Sequence, residues 1–435
     1  MNLYQREYEK RKCSLMDAYE LVKDGSYLST SSAAAEPIAF LKELHTIAPR
    51  IHKIRVSHSI EMLDYEFVIN ENYHSKFEVS SFFLMGPGRK AANIGRKDYM
   101  PTNLHDSARR EIQNEVPDVY VCSVPPMDEM GFFRISLCNM VEREYIDKAK
   151  KVILEVVPDM PVLFGDNEIH ISDVDAVFEC NRPIPTIDSA PLGEEDRQIG
   201  IHVATLVEDG STIQLGIGSI PDAIAQAFIG KKDLGIHTEM ITNSVVDLVE
   251  KGVVTGKRKT LHRHKIVGTF ALGNERLYRF LSHNPAIAIM PGRYVNDPYV
   301  IAQNDSMVSI NTGLAVDLTG QVCSESLGHR QYSGTGGQSD TAIGAIHSKG
   351  GKSIIALHST AKNGTISTIT PYLAPGSIVS LSRNNIDYVV TEYGIAFLRS
   401  KTVSQRAQSL ISIAHPQFRT ELFEQAKKFG FIPDG

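Results

Sequence analysis

Thr212-Ile213-Gln214-Leu215-Gly216-Ile217-Gly218-Ser219-Ile220-Pro221-Asp222 is the stretch on which the fold reading turns. A short, largely apolar run with β-branched residues reads as a strand. Two glycines then supply a tight turn, and Pro221 stands where a following helix would begin. Proline is tolerated there because the first helical N–H groups have no intrahelical partner. A strand running through a glycine turn into a helix is the repeating unit of α/β architecture. The same unpartnered N–H groups can stabilise an oxyanion that develops beside them.

The alternation continues outward from this unit. Further strands are expected at Asp118–Ser123, Lys151–Val157, Ser353–Leu357 and Asp387–Thr391, with amphipathic segments at Asp222–Ile229, Asn274–Leu281 and Val403–Ala414. A chain of 435 residues exceeds the ~250–300 at which a single core usually stops growing. Asn181–Leu192 carries Pro183, Pro185 and Pro191 and reads as an extended linker. Glu194–Glu208 then restarts a helix with acidic residues in its first turn, where they suit the helix dipole. The expectation is two α/β domains, residues 1–185 and 186–435, with a small-molecule site in the cleft between them.

Composition narrows the function classes. The 42% hydrophobic and 22% charged fractions suit packed cores rather than disorder. A net charge of -6, with no basic block beyond short runs such as Lys257–Lys259, argues against a nucleic-acid partner. The N-terminus lacks the apolar segment of a secretory signal, and no run approaches the ~20 apolar residues of a membrane span. Cys13, Cys122, Cys138, Cys180 and Cys323 are scattered and odd in number, which fits a reduced cytoplasm.

Several tempting motifs fail. Gly350-Gly351-Lys352-Ser353 imitates the end of a P-loop, but position 346 is Ile and a strand-like run follows where a helix is required. In Gly216-Ile217-Gly218-Ser219-Ile220-Pro221 the sixth position of a dinucleotide loop is Pro. There is no Gly-x-Ser-x-Gly elbow. His262 and His264, beside Arg258, Lys259 and Arg263, read as a solvated basic loop, and no metal site is expected. What survives is the Gly216–Gly218 turn, the segment Leu234-Gly235-Ile236-His237-Thr238-Glu239-Met240, and the glycine-rich Tyr332–Asp340. From the residues alone this is an enzyme-like α/β protein with candidate oxyanion loops, and Glu239 is one of 51 acidic residues.

A resemblance sharpens the reading. Gly165-Asp166, Ile169–Asp173, Gln214–Asp222, Leu234–Met240, Arg293–Pro298, Ser333–Asp340, Gly351–Leu357, Val389–Gly394 and Ile411–Phe418 occur in an order that resembles the acetyl-CoA hydrolase/transferase family of CoA-transferases. The likeness covers nearly the whole chain and is greatest to members acting on 4-hydroxybutyrate. It implies that Glu239 is the catalytic carboxylate, with oxyanion-hole amides at Ile217 and Gly337 and with Asn296 beside the carboxylate. It also associates Gly216, Gly218, Gly336, Lys362 and Glu392 with coenzyme A. For Lys362 and Glu392 a surface lysine and a structural strand-end glutamate compete with that reading.

The implied activity is ping-pong exchange of CoA between carboxylic acids through a glutamyl-CoA thioester. Acyl-CoA and small carboxylic acids are the partners, and no tightly bound cofactor is expected. A carboxylate of ordinary pKa, ~4.3, would be ionised at pH 7 and need no general base. Family precedent suggests a homodimer. Competing readings are an acyl-CoA hydrolase and a non-catalytic CoA-binding protein.

Two departures bear on the acceptor. Thr341 stands where relatives commonly carry an aromatic residue, with Ser339 before it, which implies a smaller, more polar pocket wall. Met85–Lys90, followed by Arg96, reads as a loop whose Arg89 or Arg96 could pair with a second substrate carboxylate. That would favour a dicarboxylate such as succinate or itaconate. Exposed loop arginines are the competing reading.

Overall fold

The computed structural model describes Asn2–Pro433. The chain forms two compact units, one of Met1–Ile187 with Gly268–Tyr294, the other of Asp188–Val267 with Val295–Gly435. The irregular, proline-rich segment foreseen at Asn181–Leu192 has no helix or strand.

The first unit is built on β1 (Tyr27–Thr30), β2 (Ile54–Ser57), β3 (Phe77–Ser81), β4 (Asp98–Tyr99), β5 (Val119–Val124), β6 (Val152–Val156) and β7 (Ala176–Glu179). They pair all-parallel in the order β4-β3-β2-β1-β5-β6-β7. Every residue of β5 and β6 is buried, which is why both read as mainly apolar runs, broken only by Ser123 and Glu155, rather than as alternating ones. One core cluster packs Tyr19, Phe40, Leu41, Phe67 and Phe77 around Leu28, Val56, Val121 and Ile153.

Met85–Lys90 is not the loop expected from its glycines. Gly86–Asn93 is an α-helix with Pro87 in its first turn, where the ring's fixed φ suits helix initiation. Gly88 earns its place by packing, because a Cβ there would overlap the Glu61 carboxylate. Glu61 in turn makes a buried ion pair with Lys97.

The second unit's sheet contains β8 (Thr212–Leu215), β9 (Gly235–Ile241), β10 (Met307–Thr312), β11 (Lys352–Ala356), β12 (Tyr388–Thr391) and β13 (Gly394–Phe397). Their order is β9-β8-β10-β11-β12-β13. All are parallel to their neighbours except β13, which turns back on β12 as a hairpin. Lys352–Ala356 is therefore a strand, as the rejection of a P-loop requires. The helices Glu194–Leu206, Ser219–Ala227 and Val403–Ile413 match the segments read from the sequence to within a few residues. Acidic Glu194, Glu195 and Asp196 do occupy the first turn of the first of these.

The chain leaves β8 for β9 on one side and later returns to β10 on the other. Such a strand marks a topological switch point, and ligands of open parallel sheets bind at the C-terminal ends of the strands there. The Gly216–Gly218 turn lies at that end of β8.

Candidate active site

Glu239 stands near the C-terminal end of β9. Thr212 pairs with Gly235 and Ile213 with Ile236. Continuing this register places Gly216, the first turn residue after β8, beside Glu239. Thr238 Oγ1 donates to the Leu215 carbonyl at 3.3 Å, which ties the two strand ends together.

The carboxylate is held by neutral donors. Asn296 Nδ2 donates to Glu239 Oε2 at 2.9 Å, and the Gly337 backbone N–H also bonds the carboxylate. Asn296 is fully buried, whereas Glu239 keeps partial exposure. Gly337 leaves room for this arrangement: an added Cβ would overlap Glu239 Oε2 and Asn296 Nδ2 and would displace them. Gly336, before it, has φ +53°, a conformation glycine adopts without strain. Together they bring the backbone up to the carboxylate and then open the helix Gln338–His347.

His237, two residues before Glu239 on β9, is buried and binds the Val295 carbonyl through Nε2 at 2.8 Å. Burial pushes its pKa down to about 3, with the charge of Lys259 adding to the effect. A neutral imidazole thus fixes the residue next to Asn296. His237 was within the quoted motif but its part in the site was not read from the sequence.

The environment changes the expected ionisation of Glu239. Loss of hydration raises its pKa to about 7; the Asn296 bond opposes this, the Asp340 charge adds to it, and the Gly337 N–H opposes it. The expectation of a fully ionised carboxylate at neutral pH is corrected accordingly: with the pKa raised to about 7, the protonated form accompanies the carboxylate there. The physical cause is that amide donors offset only part of the desolvation of a charge.

The other expected residues lie as follows. Ile217 is 42% exposed in the turn after β8, and Gly218 has φ +121°. Gly218 is the N-cap of Ser219–Ala227, and no side chain caps that helix. Lys362 is exposed, with φ 49°, in the turn joining Thr360–Ala361 to Ile366–Ser367. Glu392 follows β12 and accepts from the Ser359 N–H at 3.0 Å and from the Ser359 hydroxyl. The structure therefore brings Glu239, Asn296 and Gly337 into contact, sets the Gly216–Gly218 turn on the adjoining strand, and ties Glu392 to the Ser359 segment rather than to Glu239.

Three expectations need adjustment. Thr341 is buried, and its hydroxyl bonds Ser309 Oγ at 3.0 Å and Asn311 Nδ2 at 3.1 Å, so it sits in a polar cluster between helix and strand. Lys259 is not solvated: it is 2% exposed, with Nζ donating to Ile236 and Lys265 carbonyls, and burial lowers its pKa to about 7. Arg96 is largely buried, with its guanidinium 3.8 Å from Glu71. Among the described residues no cluster of three or more His, Cys, Asp or Glu could hold a metal ion. None of the described helices is long and apolar enough to cross a membrane.

Two parallel α/β sheets and a carboxylate cradled by an asparagine and a glycine N–H belong to a recognisable class. The chain is a member of the acetyl-CoA hydrolase/transferase family: residues 1–188 match its N-terminal domain and residues 273–426 its C-terminal domain. Asn296, Gly337, Lys362 and Glu392 fall inside the second match, while Glu239 and the Gly216–Gly218 turn lie between the two. Relatives similar over the full length bridge that gap. The chain is 44% identical to succinyl-CoA:cyclohexane-1-carboxylate CoA transferase of Geobacter metallireducens, over 99% of this chain and 98% of the relative. It is 41% identical to 4-hydroxybutyrate coenzyme A transferase of Clostridium kluyveri, over 98% and 99%. The crystal structure of RipA from Yersinia pestis superimposes with a TM-score of 0.93 at 36% identity, covering 99% of this chain and all of that one. By this kinship the protein is an enzyme, a CoA-transferase.

Proposed function

We propose that the protein exchanges CoA between an acyl-CoA and a free carboxylic acid of the 4-hydroxybutyrate class, through a glutamyl-CoA thioester on Glu239. The observation that carries this reading is the pairing of a partly exposed, desolvated carboxylate with two neutral donors, Asn296 Nδ2 and the Gly337 N–H. Neutral donors leave the nucleophile its negative charge without an ion pair to quench it. As the glutamyl carbonyl forms, the same donors face its oxygen and stabilise the tetrahedral oxyanion; one such donor is typically worth ~2.7–4 kcal/mol.

The cycle balances without an external reagent. Ionised Glu239 attacks the thioester carbonyl, the C–S bond breaks, and a mixed anhydride and CoA thiolate result. The thiolate attacks the glutamyl carbonyl, releasing the first acid as its carboxylate and leaving glutamyl-CoA. The acceptor carboxylate then attacks glutamyl-CoA, and the expelled thiolate takes the acyl group from the new anhydride. Glu239 returns as a carboxylate and a new acyl-CoA leaves. Binding of the long, unreacting CoA tail positions the thioester for both attacks.

The test is intact-protein mass spectrometry after incubation with acyl-CoA alone. A mass gain of one CoA on Glu239, discharged by added acid with formation of its CoA ester, is the expected result. Release of free CoA at the same rate with and without acids would establish a hydrolase instead. The acceptor panel includes 4-hydroxybutyrate, butyrate, cyclohexane-1-carboxylate, succinate and itaconate. Arg96 lies 3.8 Å from Glu71, and the succinate and itaconate arms test whether Arg89 or Arg96 favours a dicarboxylate. We further propose a cytoplasmic homodimer, to be checked by light scattering on the purified protein and by cell fractionation.

A further inference from the structure

Asp196 lies far from Glu239 in the sequence and has no part in the chemistry above, yet it is buried at 5% exposure among polar side chains. Its Oδ2 accepts from the Gly193 N–H at 2.8 Å, the ordinary duty of an acid in the first turn of a helix. Its Oδ1 does something a helix cap does not need. It accepts from Ser219 Oγ at 2.9 Å and from His358 Nε2 at 2.8 Å. These three donors outweigh the opposing effect of burial and hold Asp196 below the usual carboxylate range, so it is ionised at neutral pH.

The two donors to Oδ1 come from different segments. Ser219 is the residue directly after Gly218 and the first of the helix that leaves the oxyanion turn. His358 follows β11 and precedes Ser359, the residue bonded to Glu392. Gly216-Ile217-Gly218 has two glycines and an uncapped helix start, so its own backbone chemistry does not fix where its N–H groups point. The Ser219–Asp196 bond ties the end of this turn to a side chain outside it.

We infer that Asp196 is a positioning residue: its Oδ1, shared between Ser219 and His358, fixes the Gly216–Ser219 turn against the end of β11. This inference rests on the proposed transfer reaction and on the oxyanion-hole role that the family resemblance implies for Ile217 in that turn. Misplacement of such donors by about 1 Å can cost on the order of 100-fold in rate. The expected signature is therefore a fall in kcat larger than any rise in KM, because oxyanion donors act more on the transition state than on the bound acyl-CoA.

The experiment is steady-state kinetics on the full chain with Ser219→Ala, Asp196→Ala, the double variant, His358→Leu and His358→Gln. Ser219→Ala places a good helix former at a helix start and keeps the fold. It should lower kcat by roughly 10- to 100-fold with KM for acyl-CoA little changed. The double variant should be no slower than Asp196→Ala alone, since both substitutions remove one tie. His358→Gln keeps a donor at the Nε2 position and should recover most of what His358→Leu loses. Wild-type kcat in Ser219→Ala, with Tm lowered only in Asp196→Ala, would reduce Asp196 to a helix cap and overturn the proposal. Turnover by Glu239→Ala in the same assay would instead overturn the catalytic reading and this proposal with it, so the two failures are told apart.

Discussion

In both units the chain leaves a central strand for the neighbour on one side and later pairs on the other: β1 lies between β2 and β5, and β8 between β9 and β10. The two switch points are furnished differently. At the first, Thr30 Oγ1 and His58 Nδ1 lie 2.8 Å apart, His58 Nε2 is 3.1 Å from Glu36, and Arg182 binds Glu155 Oε1 at 2.6 Å, Ser123 Oγ and the Glu36 carbonyl. Glu36 and Glu155 are wholly buried. Burial lowers the pKa of His58 although Glu36 pulls it upward. At the second switch point Glu239 has amide donors in place of a guanidinium and retains access to solvent. The same topology thus occurs twice, and the side chains decide which switch point is filled with paired charge and which keeps a partly exposed, amide-bonded carboxylate.

That contrast breaks most decisively at Glu239 itself. Glu239→Ala should lower CoA transfer by about 10⁴-fold or more in initial-rate assays, as loss of a covalent nucleophile does. A variant retaining a tenth of the wild-type rate would mean the carboxylate is no nucleophile. Gly337→Ala comes next. The new methyl group competes for the space of the carboxylate and the Asn296 amide, and kcat should fall by about 10²- to 10³-fold.

The ionisation of Glu239 gives a smaller and more diagnostic effect. Only the charged form attacks, and its pKa is raised to about 7, so kcat/KM for acyl-CoA should climb with pH through that region and level off above it. Asn296→Ala removes a bond that favours the charged form. The rising limb should then move to higher pH by up to about one unit, with at least a ~10-fold loss of rate at pH 7. A flat profile from pH 5 to 8 would contradict the desolvated site. The smallest effect on activity is expected from the filled crevice. Arg182→Met strips the partner from a buried carboxylate and should destabilise the fold by ~3–5 kcal/mol in denaturant titrations. Transfer per folded molecule and the Glu239 limb should stay as in the wild type.

The strands were legible because parallel, doubly covered strands such as Val119–Val124 are short, mainly apolar runs rich in β-branched residues. Gly86–Asn93 was misread because two glycines and a proline signal a turn locally. What they permit is a helix approaching Glu61 closely, a tertiary reason invisible to a local pattern. Glu239, Asn296 and Gly337 were found through motif resemblance; their spacing along the chain carries no geometric information of its own. His237 was in view within the same motif, but its bond is to a backbone carbonyl 58 residues away. Asp196, Ser219 and His358 had no shared signal at all, since only the sheet order brings the starts of two helices to the end of β11. Raised carboxylate pKa values such as that of Glu239 belong to the same class: they arise from surroundings assembled by the fold, not from the residue type.

The membership of Gly268–Tyr294 in the first unit has a consequence for how the molecule is made. A ribosome that has finished Ile187 has not yet supplied all of that unit. It must read through the β8–β9 region, including Glu239, before the missing piece emerges. At ~5–20 residues per second this is a wait on the order of 5–20 s. During it the first unit is without Gly268–Tyr294 and the contacts that segment makes. Severing the gene at the proline-rich linker would make that interval permanent.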